Sequence, residues 1–193
     1  MLGQLPTTLD IHGKAYKIRS DFRNILRIFE AFADNDISDR EKLLVCLKRL
    51  YVDFSKIPQE DYPAAYQAAY RFLACNTQED GKPPIRTFNW IKDEQIIFPA
   101  VNKVAGMEVR SVPYMHWWTF LGYFESIDPD GLFGTVLSLR QKKARGKKLE
   151  KHEQEFWRNN KAIMALDFET AKPKTADEKL SDMFNDLLAE AGD

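Results

Sequence analysis

Ser38-Asp39-Arg40-Glu41-Lys42-Leu43-Leu44-Val45-Cys46-Leu47-Lys48-Arg49-Leu50-Tyr51 opens on Ser with Glu three residues later. This is the capping box, in which each of the two side chains accepts the other residue's backbone N–H and so closes a helix start. Leu43, Leu44, Leu47, Leu50 and Tyr51 then recur at helical spacing on one face. An amphipathic helix that must bury one side sets the class of the fold, and its neighbours read the same way.

Upstream, Phe22, Ile25, Leu26 and Phe29 keep the helical period until Asp34-Asn35-Asp36, with Ser20 or Asp21 as the N-cap. Before that, Thr8 to Ile11 and Ala15 to Arg19 flank His12-Gly13-Lys14, which predicts a β-hairpin. Downstream, a third helix after Pro58 carries Tyr62, Ala65, Tyr66, Ala69, Tyr70 and Leu73. Thr77 to Pro84 reads as a loop, and a fourth helix over Asp93 to Ala105 is interrupted by Pro99 and ended by Gly106. Pro113 suits the first position of a fifth helix reaching Phe124. Asp128-Pro129-Asp130-Gly131 turns the chain into a sixth helix, Leu132 to about Ala144, and a seventh runs from Leu149 to Leu166. Thr175 with Glu178 is a second capping box, opening an amphipathic helix with Leu180, Met183, Phe184, Leu187 and Leu188 on one side. The fold class is therefore mostly α: a multi-helix bundle with a small N-terminal β-hairpin and an amphipathic C-terminal helix on a linker. Residues 1–170 are expected to form one helical domain, with the hairpin in about the first twenty residues, and 171–193 the linker and last helix.

The 193 residues, 44% hydrophobic and 30% charged, have a composition ordinary for a globular protein. The longest nearly apolar stretch, Tyr114 to Phe124, is about half the roughly 20 residues that a membrane span requires. The opening MLGQLPTTLD has neither a basic nor an apolar leader region, so the chain is expected to stay where it is made. Cys46 and Cys75 stand alone in helical surroundings, as buried thiols do in a reducing compartment.

Catalytic signatures are missing. Gly146-Lys147-Lys148 has neither the upstream glycine nor the hydroxyl residue of a phosphate-binding loop, and no nucleophile elbow occurs. His12, His116 and His152 lie far apart, outside any metal-ligand spacing. His152 with Glu155 reads as solvated helix surface, and Asp128 with Asp130 as a turn and helix cap. No cofactor, no metal and no enzymatic activity are expected.

Three features suit binding instead. Trp117 and Trp118 lie in a helix too aromatic to bury all its faces in one small bundle, so one side reads as core and the other as an interface. Arg140, Lys142, Lys143, Arg145, Lys147, Lys148 and Lys151 form a basic face, within a segment from Arg140 to Lys161 of nine basic against three acidic residues. From Asp167 to Asp193 eight acidic residues outnumber three lysines, so the tail is able to fold back onto that face. Clustered cations raise nucleic acid, but no aromatic is interleaved between Arg140 and Lys151 for stacking on bases, which argues against nucleic acid as a partner. The apolar stripe Leu180, Met183, Phe184, Leu187 and Leu188 must occupy a groove of its own domain or of another chain.

Trp117-Trp118-Thr119-Phe120-Leu121-Gly122-Tyr123-Phe124 resembles the bacteriophage gene-product-15 family. So do Gly131-Leu132-Phe133, Leu139-Arg140-Gln141-Lys142-Lys143, Gly146-Lys147-Lys148-Leu149-Glu150-Lys151 and Glu155-Phe156. Tyr16-Lys17-Ile18 with Asp21-Phe22-Arg23 resembles that family's start, so the likeness runs from near the N-terminus to about Leu166. The resemblance implies a tail assembly chaperone of long-tailed phages, acting in the host bacterial cytoplasm and absent from the mature virion. It implies the tape measure protein and the tail tube protein as partners, with Trp117, Trp118 and the C-terminal stripe as contact surfaces. A homo-oligomer would form through the hairpin edge or the tail helix, and no catalytic or metal residue is carried over. The competing readings are a nucleic-acid-binding or regulatory module using residues 140–151, and a structural component of the virion tail.

Overall fold

The computed structural model describes residues 3–75 and 87–165. Strands β1 (Thr8–Ile11) and β2 (Lys14–Lys17) pair antiparallel, Thr8 opposite Lys17 and Ile11 opposite Lys14. The turn is one residue shorter than the sequence suggests. His12 and Gly13 both take positive φ (51° and 82°), the two-residue form whose twist matches the strands, and Asp10 Oδ1 accepts from Gly13 N–H. Helices follow at α1 (Phe22–Ala33), α2 (Asp39–Leu50), α3 (Tyr62–Leu73), α4 (Glu94–Ala105), α5 (Trp117–Glu125), α6 (Leu132–Ala144), α7 (Lys151–Asn159) and α8 (Lys161–Met164). The mostly helical class with an N-terminal hairpin is therefore found. The expected C-terminal helix lies outside the described residues.

Within the stretch expected to be one helical domain, contacts group the described residues into two compact units. The first holds residues 3–75 and 114–118, the second 87–113 and 119–165. In the first, α1 packs on α2, α2 on α3 and α3 on β1. Phe22, Ile25, Ile28, Leu43, Leu47, Leu50 and Tyr51 are fully buried there. Cys46 is buried with them, and burial pushes its thiol up to about 12. The Ser38–Glu41 capping box is present with both reciprocal bonds. At the other end of α2, the Arg19 guanidinium donates to the carbonyls of Lys48 and Arg49, which a helix end leaves without intrahelical partners, and to those of Tyr51 and Val52 just beyond it. Arg19 N–H donates to Leu50 O, and Ile18 bridges to Tyr51, so the strand segment is fastened to the end of α2.

In the second unit α4 packs on α6, and α8 touches both α6 and α7. Pro99 sits inside α4, and Gly106 ends it with φ 68°. Phe88, Trp90, Phe120, Phe124 and Phe133 form one aromatic cluster with ring centroids 4.6 to 6.1 Å apart.

Two helix boundaries differ from expectation. The fifth helix begins at Trp117 rather than Pro113. Asp21 bridges to His116 and its carboxylate accepts Met115 N–H, which keeps this segment extended. The seventh helix is broken at Asn160, where φ is −119° and the side-chain amide donates to Phe156 O, giving α7 and α8.

Candidate functional site

Trp117 and Trp118 are placed by what α3 lacks. Two of its final carbonyls take indole donors: Trp117 Nε1–H to Leu73 O (2.9 Å) and Trp118 Nε1–H to Phe72 O (2.8 Å), the latter carbonyl also accepting Cys75 N–H. His116 starts the helix that carries them. Its Nδ1 accepts Trp118 N–H (3.1 Å) and its Nε2 faces Pro6 O (2.9 Å), the pattern of a ring with its proton on Nε2. Trp117 is 1% exposed and packs on Phe29 with ring centroids 5.6 Å apart. It is a core residue, which corrects its expected place on an interface. Trp118 is half-buried, stacked on Phe72 at 5.9 Å, and has surface left to offer.

The basic face is corrected as well. Arg140 is 2% exposed, and its guanidinium holds the Asp93 carboxylate while donating to Thr87 O and Ile163 O. A cation pointing inward from a mostly polar helix end needs a buried anion, and Asp93, 47 residues earlier, provides it. Lys142 is paired with Glu153, which raises the lysine and holds the carboxyl below its ordinary range. Arg145, Lys147, Lys148 and Lys151 are exposed. Lys143 lies 4.2 Å from the centroid of the Trp157 ring, a cation over an aromatic face.

Local rules fold this segment back on itself. Lys147 N–H donates to Lys142 O and Gly146 N–H to Lys143 O, the paired bonds that close a helix on a left-handed glycine; Gly146 has φ 67°. Glu150 and Glu153 then cap the start of α7 reciprocally. The result is a groove of about 470 Å³ between α6, α7 and α8. Trp157 supplies apolar surface, the buried Met164 and Arg140 parts of the wall, and the exposed Lys143 and Lys161 a basic rim, with Ala165 at the edge. The sequence reading did not single out Trp157, although an indole four residues before Lys161 and beside Phe156 was a visible signal. Leu180, Met183, Phe184, Leu187 and Leu188 lie outside the described residues. Among the described residues no three His, Cys, Asp or Glu side chains gather as metal ligands would.

The family model described as bacteriophage Gp15 protein matches residues 1–166. The chain belongs to this family. No match was found among curated proteins, and none among solved structures. Membership makes this Gp15 chain a phage structural or assembly protein. The match takes in both units and ends one residue beyond Ala165, at the margin of the groove. No helix among the described residues of the Gp15 chain is long and apolar enough to cross a membrane.

Proposed function

We propose that this Gp15 chain is a non-catalytic tail assembly chaperone that coats the tape measure protein, keeps it soluble and helps recruit tail tube subunits. Membership of the family over residues 1–166 is the observation that carries the reading. A tape measure protein is a very long helical chain with apolar stripes, and small helical proteins carrying short apolar grooves suit it. Each copy makes a weak contact, and many copies on one client give avidity while each remains displaceable. The half-buried Trp118, the groove beside Trp157 and the stripe Leu180 to Leu188 are the contact surfaces in this reading. The outer edge of β1 has no strand on it among the described residues and offers a link between copies. The protein acts in the host cytoplasm and leaves before the virion is complete. The nucleic-acid reading is weakened, since Arg140 and Lys142 are already paired with Asp93 and Glu153.

The test is co-expression with the tape measure protein of the same genome, followed by size-exclusion chromatography and mass determination at two salt concentrations. A soluble complex with several copies per client is expected. An insoluble client, or this chain found stoichiometrically in purified particles, would overturn the proposal.

A further inference from the structure

We infer that the groove between α6, α7 and α8 is the docking site of this chain's own acidic C-terminal segment, from Thr175 to Glu190. The inference needs no client; in the chaperone reading a client would have to displace this segment before it reached the groove or the stripe. Position supports it first. Ala165 lies at the groove's edge and is the last described residue, and 28 residues follow it. Residues 166–174 span at most about 30 Å when extended, at roughly 3.3 to 3.6 Å per residue. The tether therefore starts at the site it must reach. A tether of this length holds its far end at an effective concentration on the order of millimolar, which favours the chain's own tail over a second copy's at dilute concentration.

Chemistry supports it next. The segment expected to be helical has Leu180, Met183, Phe184, Leu187 and Leu188 on one side. On the same helix Glu190 flanks that stripe and Asp186 lies next to it, one turn earlier, while Asp182 lies opposite. The groove is complementary in both respects: Trp157 for the stripe, with Met164, itself only 2% exposed, in the lining, and Lys143 and Lys161 for the flanking carboxylates. Arg140 adds a third observation. Its side chain is 1% exposed, forms part of the groove wall, and has at Nε a donor with no hydrogen-bond partner among the described residues. A buried N–H seldom goes without an acceptor, and a carboxylate is the strongest one a peptide brings.

The experiment uses the full chain with a photoreactive benzoylphenylalanine in place of Phe184, irradiated at low micromolar concentration and mapped by mass spectrometry. Crosslinks within one chain to the peptide from Trp157 to Ala165 are expected. The exposed pair Lys143→Glu and Lys161→Glu should lower their yield several-fold with the helical circular dichroism unchanged. Adding Asp186→Lys and Glu190→Lys should restore it. Crosslinks joining two copies, crosslinks to residues outside 140–165, or no crosslink would each overturn the inference. So would a yield indifferent to the charge reversal.

Discussion

Arg140 and Asp93 meet as fork on fork: Nη1 to Oδ2 and Nη2 to Oδ1 are both 2.8 Å, with the two side chains 1% and 3% exposed. Asp93 also accepts Asn89 N–H at 2.9 Å just ahead of α4. A pair this dry joins the start of α4 to the C-terminal half of α6, and either member alone would be a buried charge without a counter-ion. Asp93→Ala is expected to lower unfolding stability by about 3–5 kcal/mol. Arg140→Met combined with Asp93→Leu should cost clearly less than the two single changes added together. Urea denaturation of the four proteins of this cycle measures both quantities.

The indole caps on α3 separate the two tryptophans. Trp117→Ala removes a fully buried ring and the donor to Leu73 O, and is expected to cost about 3–5 kcal/mol. Trp118→Phe keeps an aromatic on Phe72 and loses one bond, for about 1 kcal/mol. Thermal unfolding of each variant checks this. It also guards the client assay, because loss of binding by a Trp117 variant would report unfolding rather than contact.

Glu108 gives a pH dependence. The Arg110 guanidinium, then the Arg110 backbone N–H, hydrogen-bond its carboxylate, and with Asn102 they hold it down to about 2 from an ordinary 4.5. A carboxyl lowered by folding stabilises the native state fully above its unfolded value. That contribution disappears as pH falls from about 4.5 toward 2. Glu108→Gln should therefore unfold at a lower temperature than wild type near neutral pH, with the gap closing across this window. A series of melts from pH 7 to 2 follows the difference, and a constant gap would contradict the assignment.

Two helical glycines should respond oppositely to alanine. A Cβ on Gly134 would meet Pro129 O at 2.2 Å, and the neighbour is backbone that cannot rotate away. Gly134→Ala is expected to cost about 1–3 kcal/mol, as overpacked sites do. Gly122, inside α5 and exposed, has nothing within 4 Å of its Cβ position, so Gly122→Ala should gain about 0.5–1 kcal/mol from the better helix former. Denaturant midpoints of the two variants should move to opposite sides of wild type.

Local signals were legible and distant partners were not. Ser38 with Glu41, Gly106 after Ala105 and Gly131 before Leu132 mark helix ends through bonds among near neighbours, and the structure places those ends accordingly. Pro113 misled because a proline allows a helix start without requiring one. The pairing of Asp21 with the segment before Trp117, more than ninety residues away, decided the matter. Arg140 failed in the same way: a run of cations reads as solvated unless one knows that Asp93 waits beneath it. Asn160 was legible in principle, since an asparagine side chain competes readily for a helix's own carbonyls.

Tyr114 to Trp118 belongs to the first unit although residues 87–113 of the second precede it in the chain. During translation the ribosome must therefore finish Trp118 before α3 receives its indole caps. At about 5–20 residues per second that is on the order of ten seconds after initiation. Throughout that interval the nascent α1–α2–α3 core exposes the cleft that Trp117 will fill, beside the ring of Phe29. Completion of this core is thus a timed event in synthesis, and slow codons placed far enough past position 118 for Trp118 to have left the ribosome would give it room to occur.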